Sequence, residues 1–274
     1  MPGKMVAELR CRAGRLASLD PSAVDLRLHK RNLRCASVGV VTIVRNDPAQ
    51  YDALAPEWWR PRGMFAMLHW LAAARAALVP PATRPGAVLV DLGCGGGLMA
   101  PHVARLGYRH VGVDLSATAL PQARAHGVAA IRADVRAVPL ADACADVVTA
   151  GEILEHVTEL PAAIAQACRL LRPGGLLVVD TLADTPLSRF VAVTLAERLP
   201  GGPPPGIHDP ALFVNRKELV AQCARHGVRL TLRGIRPSML GTARWLAGRA
   251  ELVRMVPVGT TSVLFQGIGR KENG

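Results

Sequence analysis

Short apolar runs recur through the middle of the chain, separated by segments with helical periodicity. The runs cover residues 87–91, 109–114, 128–133, 145–150 and 175–181. Between and after them, residues 96–106, 117–126, 160–171 and part of 186–199 carry apolar positions at the spacing of one helix face. This alternation predicts a parallel sheet with right-handed crossovers. Arg172, Pro173, Gly174 and Gly175 end one helix and start the next strand. Residues 183–215 break the rhythm. They hold an amphipathic piece (LSRFVAVTLAERL, 187–199) and then only Gly and Pro from 201 to 206, which reads as an insertion or lid. A helix over 216–226 capped by Asn215, a strand over 228–236 and a final strand over 261–268 complete the pattern.

Two stretches precede the first strand. Residues 47–79 read as helices packed on the domain, with Asp47 or Asp52 as a cap. They hold Trp58, Trp59, Phe65 and Trp70 in a chain that is only 4% aromatic. Core packing is the default account of these rings, and a lid over a ligand is the sharper one. Residues 1–46 are rich in Arg and poor in acids. That composition fits an organelle transit peptide, a translated region ahead of the true start, or a basic arm. The expected organisation is therefore a basic extension over 1–46 and one domain over 47–274.

Charge and cysteine usage narrow the partners. The formal net charge is +12, but the arginines are scattered and are not interleaved with stacking aromatics, so no nucleic-acid groove is expected. Contact with an anionic membrane surface is compatible with the charge. The six cysteines show no Cys-x-x-Cys pair, as for thiols in a reducing compartment. No apolar run reaches the roughly 18 residues a membrane span needs. The expected location is cytoplasmic and peripheral to the inner membrane, or the mitochondrial matrix if the extension is a transit peptide.

The first run ends in AVLVDLGCGGG, residues 87–97, a strand feeding a glycine turn. Glycines at such a turn let backbone approach a ligand closely. The dinucleotide pattern Gly-x-Gly-x-x-Gly fails at its third glycine, where Leu98 stands. Asp91 also suits a cationic ligand better than a pyrophosphate, which disfavours an NAD-dependent oxidoreductase. Asp114 closes the next strand about 20 residues on, where a carboxylate can accept ribose hydroxyls. Asp134 closes the third. This ordered set of acids resembles the class I S-adenosylmethionine-dependent methyltransferases. The resemblance implies an α/β, Rossmann-like fold with a mostly parallel seven-stranded sheet and helices on both faces. It makes Asp91, Gly93, Gly95, Asp114 and Asp134 candidate cofactor contacts.

After the fourth strand comes GEILEHV, with Glu152, Glu155 and His156 in an E-x-x-E-H arrangement. If a helix begins here, the three side chains share a face just beyond a strand's carboxyl end, the rim where open α/β sheets bind ligands. Two carboxylates and an imidazole suit a divalent ion, Mg²⁺ or Mn²⁺ before a structural Zn²⁺. A capping glutamate and a packed histidine are the plainer account.

Together these residues resemble the ubiquinone-biosynthesis O-methyltransferases. The likeness runs through Trp58 and Trp59, Gly63 to Phe65, Leu68 and His69, Arg75, DLGCGGG (91–97), Gly112 to Asp114, EILEH (152–156) and RPGG (172–175). It resumes at Thr181 and Leu182, at 206–209 and at 217–219. The resemblance implies S-adenosylmethionine contacts at Arg75, Gly93, Asp114 and Gly151, and a divalent metal, Mg²⁺ first, at Glu152, Glu155 and His156. It implies methylation of a phenolic hydroxyl on a polyprenylated, catechol-like ring at a membrane surface, with 183–215 as the lid and membrane-contact region. Departures from the family pattern stand at Ala72 and Ala73, Ile207, and Ala183 and Asp184. They keep another small-molecule phenol as an alternative substrate, and a non-catalytic S-adenosylmethionine-binding scaffold is the alternative of a different class. In the expected reaction the phenol oxygen attacks in line. Glu152 and His156 are the catalytic candidates, with His156 favoured as a metal ligand over a general base.

Overall fold

In the computed structural model, which describes residues 45–198 and 202–273, eight strands form one sheet. They are β1 (Val88–Leu92), β2 (Arg109–Asp114), β3 (Ala129–Arg132), β4 (Ala145–Gly151), β5 (Leu171–Leu182), β6 (Val228–Pro237), β7 (Met255–Val258) and β8 (Leu264–Lys271). The order across the sheet is β3-β2-β1-β4-β5-β8-β6-β7. The pairs among β3, β2, β1, β4 and β5 are parallel, whereas β8 runs antiparallel to both β5 and β6. The extension expected over 1–46, with the apolar run at 38–44, lies outside the described residues except for Arg45 and Asn46.

The alternation along the central strands builds two cores at once. Val90 and Leu92, Val148 and Ala150, and Leu177 and Val179 face one side. Leu89, Val147, Leu176 and Val178 face the other. On the first side pack α5 (Leu160–Leu170) and α7 (Arg216–Arg225), through Ile164, Ala167, Cys168, Leu219 and Cys223. On the second pack α2 (Ala66–Ala76), through Ala72 and Ala76, and the residues around α3 (Ala100–Val103); α1 (Pro48–Ala53) precedes α2 and α4 (Leu120–Ala125) follows β2. Strands buried on both faces read as continuous apolar runs, which is why they stood out in the sequence.

Three expectations need correction. The sheet has eight strands, not seven: β7 pairs antiparallel with β6 at the edge. It is linked to β6 through α8 (Met239–Leu246), capped by Ser238. Neither was expected, because β7 is short and holds Pro257, and Gly241 weakens the helical pattern of α8. The helix expected over 96–106 shrinks to α3, since Gly95 to Gly97 form the turn and Pro101 sits at its start. The amphipathic piece is α6 (Pro186–Arg189) followed by a π-helical turn (Phe190–Leu195) and a 3₁₀ turn (Ala196–Arg198). In the aromatic stretch before β1, Trp58, Phe65 and Trp70 are all buried, and the same three rings line the cavity described below.

Candidate active site

A cavity of about 760 Å³ opens at the carboxyl ends of β1, β2 and β4. One end is the glycine turn. Gly93 and Gly97 have φ of 71° and 81°, conformations that only glycine adopts cheaply. Gly95 and Gly96 serve a second purpose. A Cβ on Gly95 would lie 2.3 Å from the Trp58 ring, and one on Gly96 would lie 2.8 Å from it. The indole therefore lies directly on the turn, and Trp59 donates its Nε1–H to the Gly96 carbonyl at 3.0 Å.

Acids ring this end. Asp114 accepts the backbone N–H groups of Gly95 and Ser116, each at 2.8 Å, one on each oxygen. Each oxygen retains a further lone pair for a hydroxyl donor. Burial raises the Asp114 carboxyl above its usual range. Asp91 is also buried and would be raised by burial alone. His110, Arg75 and the Thr149 hydroxyl, which donates at 2.6 Å, reverse that and hold it low. Asp134 is more exposed, and Arg136 keeps it low through paired hydrogen bonds.

Beneath the cavity Arg75 donates from Nη1 to both oxygens of Asp180, at 2.7 and 2.9 Å. The pair is buried, with Asp180 fully so. Gly151 makes room for it, because a Cβ there would lie 1.5 Å from Arg75 Nη1. Asp180 was not among the expected site residues, although an acid inside the apolar run LLVVDTL was the signal.

The other side of the cavity holds the E-x-x-E-H residues. Glu152 follows Gly151 with φ of 50°, a strained conformation for a side-chain-bearing residue. Residues Leu154–His156 form a 3₁₀ turn, not the start of a helix. Glu155 is fully buried and accepts from the Thr181 hydroxyl at 2.7 Å. Burial pushes its carboxyl up to about 7. Burial, and then the Glu155 charge, push Glu152 well above the ordinary carboxylate range.

His156 turns away from both glutamates. Its Nδ1 lies 2.6 Å from Asn46 Oδ1 and its Nε2 lies 3.1 Å from the Tyr51 hydroxyl. Burial lowers it to about 3, so it is neutral at pH 7. His208 stacks on it with ring centroids 5.5 Å apart. Burial, followed by the charge of Arg45, lowers His208 to about 4. Among the described residues, no three His, Cys, Asp or Glu side chains are grouped to hold a metal. Both nitrogens of His156 are engaged, by Asn46 and Tyr51, and a 3₁₀ turn stands where the shared helix face was expected. Glu152 and Glu155 each keep one buried carboxylate oxygen without a hydrogen-bond partner. As a donor set, that pair fits a hard cation without the histidine.

The third part of the cavity is apolar, walled by Met67, Trp70, Leu71, Leu182, Trp245 and Leu264. Asn46, Tyr51 and His208 complete the site; His208 lies in the 206–209 stretch of the family likeness, whereas Asn46 and Tyr51 were not singled out in the sequence. Asn46 lay at the edge of the basic extension, and nothing in its neighbours marked it.

A family model described as a methyltransferase domain matches residues 90–179. The chain is 36% identical over 198 residues to a ubiquinone biosynthesis O-methyltransferase of Cereibacter sphaeroides, covering 65% of this chain and 80% of that protein. To the enzyme of the same description from Nitrosococcus oceani it is 34% identical, covering 80% of this chain and 96% of that one. Among solved structures, a SAM-dependent methyltransferase of Thermotoga maritima superposes with a TM-score of 0.56 at 18% identity, over 81% of this chain and 98% of that one. That likeness speaks for the fold.

Proposed function

The chain belongs to the ubiquinone biosynthesis O-methyltransferase family, and on that premise we propose how its cavity carries out methylation of a phenolic oxygen on a polyprenylated ubiquinone precursor. The observation that carries the proposal is the continuity of the cavity. One cavity is lined by the glycine turn and Asp114, by His156 and Glu152, and by an apolar wall that includes Trp70, Trp245 and Leu264. A cofactor, a reacting ring and a hydrocarbon tail need those three environments in one cavity.

Bound S-adenosylmethionine supplies an activated sulfonium methyl group. The protein then has to align a phenol with it and take the phenol's proton. Asp114 would receive ribose hydroxyls, while the missing side chains of Gly93 and Gly151 leave room for Ile153 and Arg75 against the cavity wall. Arg75 acts from beneath by fixing Asp180 and the end of β4. His156, neutral through burial, takes the phenol proton, a role usually worth about 10²- to 10⁴-fold in rate. Alignment supplies several kcal/mol more. A divalent ion, Mg²⁺ first, would be held by Glu152 and Glu155 and would supply charge stabilisation for the ionising catechol oxygens.

Peripheral membrane contact forms part of the proposal. Leu187, Phe190 and Leu195 on the insertion and Met239, Leu240 and Leu246 on α8 are exposed apolar side chains. Val191 and Ala192 from the first element and Trp245 and Leu246 from the second line the cavity between them. No helix among the described residues is long and apolar enough to cross a membrane. We assign the methyltransferase domain to residues 47–274, with Arg45 and Asn46 bonded to it. The test is incubation of the purified protein with S-adenosylmethionine and short-chain prenylated catechols, with the product identified by mass spectrometry. A product methylated on carbon, or no product from any catechol, would overturn the proposal.

A further inference from the structure

We propose that Trp245 is a specificity-determining residue: its indole walls the path by which a hydrocarbon chain on the reacting ring leaves the cavity, beside α8 and the turns over 190–198. The inference rests on the catechol methylation proposed above and adds the residue that reads the chain.

Helical geometry sets one face of α8 on the cavity. Thr242, Trp245 and Leu246 are spaced so that the first shares a face with the other two, and all three line the cavity. Their surroundings differ sharply. Trp245 is 8% exposed, whereas Leu246 is 67% exposed. A lining that passes from a buried ring to a side chain in solvent is the side of an opening. The insertion contributes Val191, Ala192 and Ala196 to the same cavity. Ala192 also belongs with Trp245 to one buried apolar cluster, so the insertion and α8 meet at this wall. A chain too long for the cavity has here an apolar way out, and Leu246 stands where it reaches the surface.

The indole is fixed before any chain arrives. It meets Trp70 edge to face, with ring centroids 5.3 Å apart and planes at 80°. The Arg62 guanidinium lies 4.8 Å from its ring centroid. Arg62 is held in turn, donating from Nη1 to the Ala250 carbonyl at 3.0 Å. Trp245 further belongs to the apolar cluster of Ile235 on β6 and Met255 on β7. A ring held in place binds a chain without the cost of ordering itself. Each CH₂ it takes from water favours binding by about four-fold. The segment β6–α8–β7 thereby acquires a use: it carries the wall that senses the chain, while the methyl transfer is left to other residues.

The test is a ratio measured on the purified full chain: kcat/KM for a prenylated catechol over kcat/KM for the same catechol without a chain. Catechols carrying one, two or three isoprene units make the series. In the wild type the ratio should exceed about 10 and grow with length until the chain passes Leu246. Trp245→Ala should lower the ratio by about 10- to 100-fold. Calorimetric affinity for S-adenosylmethionine within about two-fold of wild type shows that the variant is folded. If Trp245→Ala does not fold, Leu246→Lys decides alone, because an exposed position seldom unfolds a protein. It should lower the ratio for the longest chain by about four-fold or more. A wild-type ratio near one, or a ratio unchanged in either folded variant, would overturn the proposal. Failure of the wild type to methylate any catechol would instead remove the reaction on which it rests.

Discussion

Replacing Arg75 by Met tests the foundation of the site. The guanidinium is the sole cation bonded to Asp180 among the described residues, and both side chains are buried. The substitution keeps bulk but leaves a carboxylate with neighbouring acids at Asp91 and Glu152. Removing one partner of a buried pair costs about 3–5 kcal/mol, because the other charge is stranded. At roughly 2–4 °C per kcal/mol for a domain of this size, the midpoint of thermal unfolding should fall by about 6–20 °C. The sign of the pH dependence follows. Burial holds Asp180 above the usual carboxylate range even beside Arg75, and loss of the cation raises it further. A carboxyl with a raised folded-state pKa destabilises as pH rises and takes up a proton at low pH. The gap between wild type and variant should therefore narrow from pH 8 to pH 5. Arg75→Met with Asp180→Leu should recover part of the loss. A penalty under about 1 kcal/mol, or one independent of pH, would refute the idea that this pair supports the cofactor end.

Other consequences can be checked singly. Gly95→Ala places a Cβ 2.3 Å from the Trp58 ring at a residue with φ of 49°, so it should cost about 1–3 kcal/mol in urea unfolding and weaken cofactor binding by calorimetry. Glu155 is raised from 4.5 to about 7 on folding, so wild-type stability should decline as pH rises through that window. Glu155→Gln should flatten the decline in chemical denaturation between pH 5 and 8. If Glu152 and Glu155 hold a divalent ion, Mg²⁺ should raise the unfolding midpoint of EDTA-treated protein, and either Glu→Gln change should abolish that rise. His156→Gln should lower kcat by about 10²- to 10⁴-fold with little change in S-adenosylmethionine affinity, measured by steady-state kinetics and calorimetry.

The two-faced core was legible in the sequence because β1, β4 and β5 are buried on both sides and read as unbroken apolar runs. Gly93, Asp114 and Gly151 could be picked out because they sit at strand ends, where spacing carries meaning, and all three line the one cavity. The reacting end was not legible. Glu152, Glu155 and His156 are close in sequence, but past the left-handed Glu152 and the 3₁₀ turn Glu155 and His156 meet different partners. Those partners, Asn46, Tyr51 and Thr181, come from distant segments whose meeting no local pattern specifies. The two tryptophans were visible as an anomaly, yet only the structure showed Trp58 resting on Gly95 and Gly96. The edge strand β7 escaped notice because four residues with a proline carry little periodic signal.

The most direct measurement follows the methyl group. Protein incubated with S-adenosylmethionine labelled in its methyl group and a short-chain prenylated catechol should yield a product labelled on one phenolic oxygen. His156→Gln should bind the cofactor with wild-type affinity and give almost none. Tight binding of S-adenosylmethionine by the wild type with no transfer to any catechol would contradict the account.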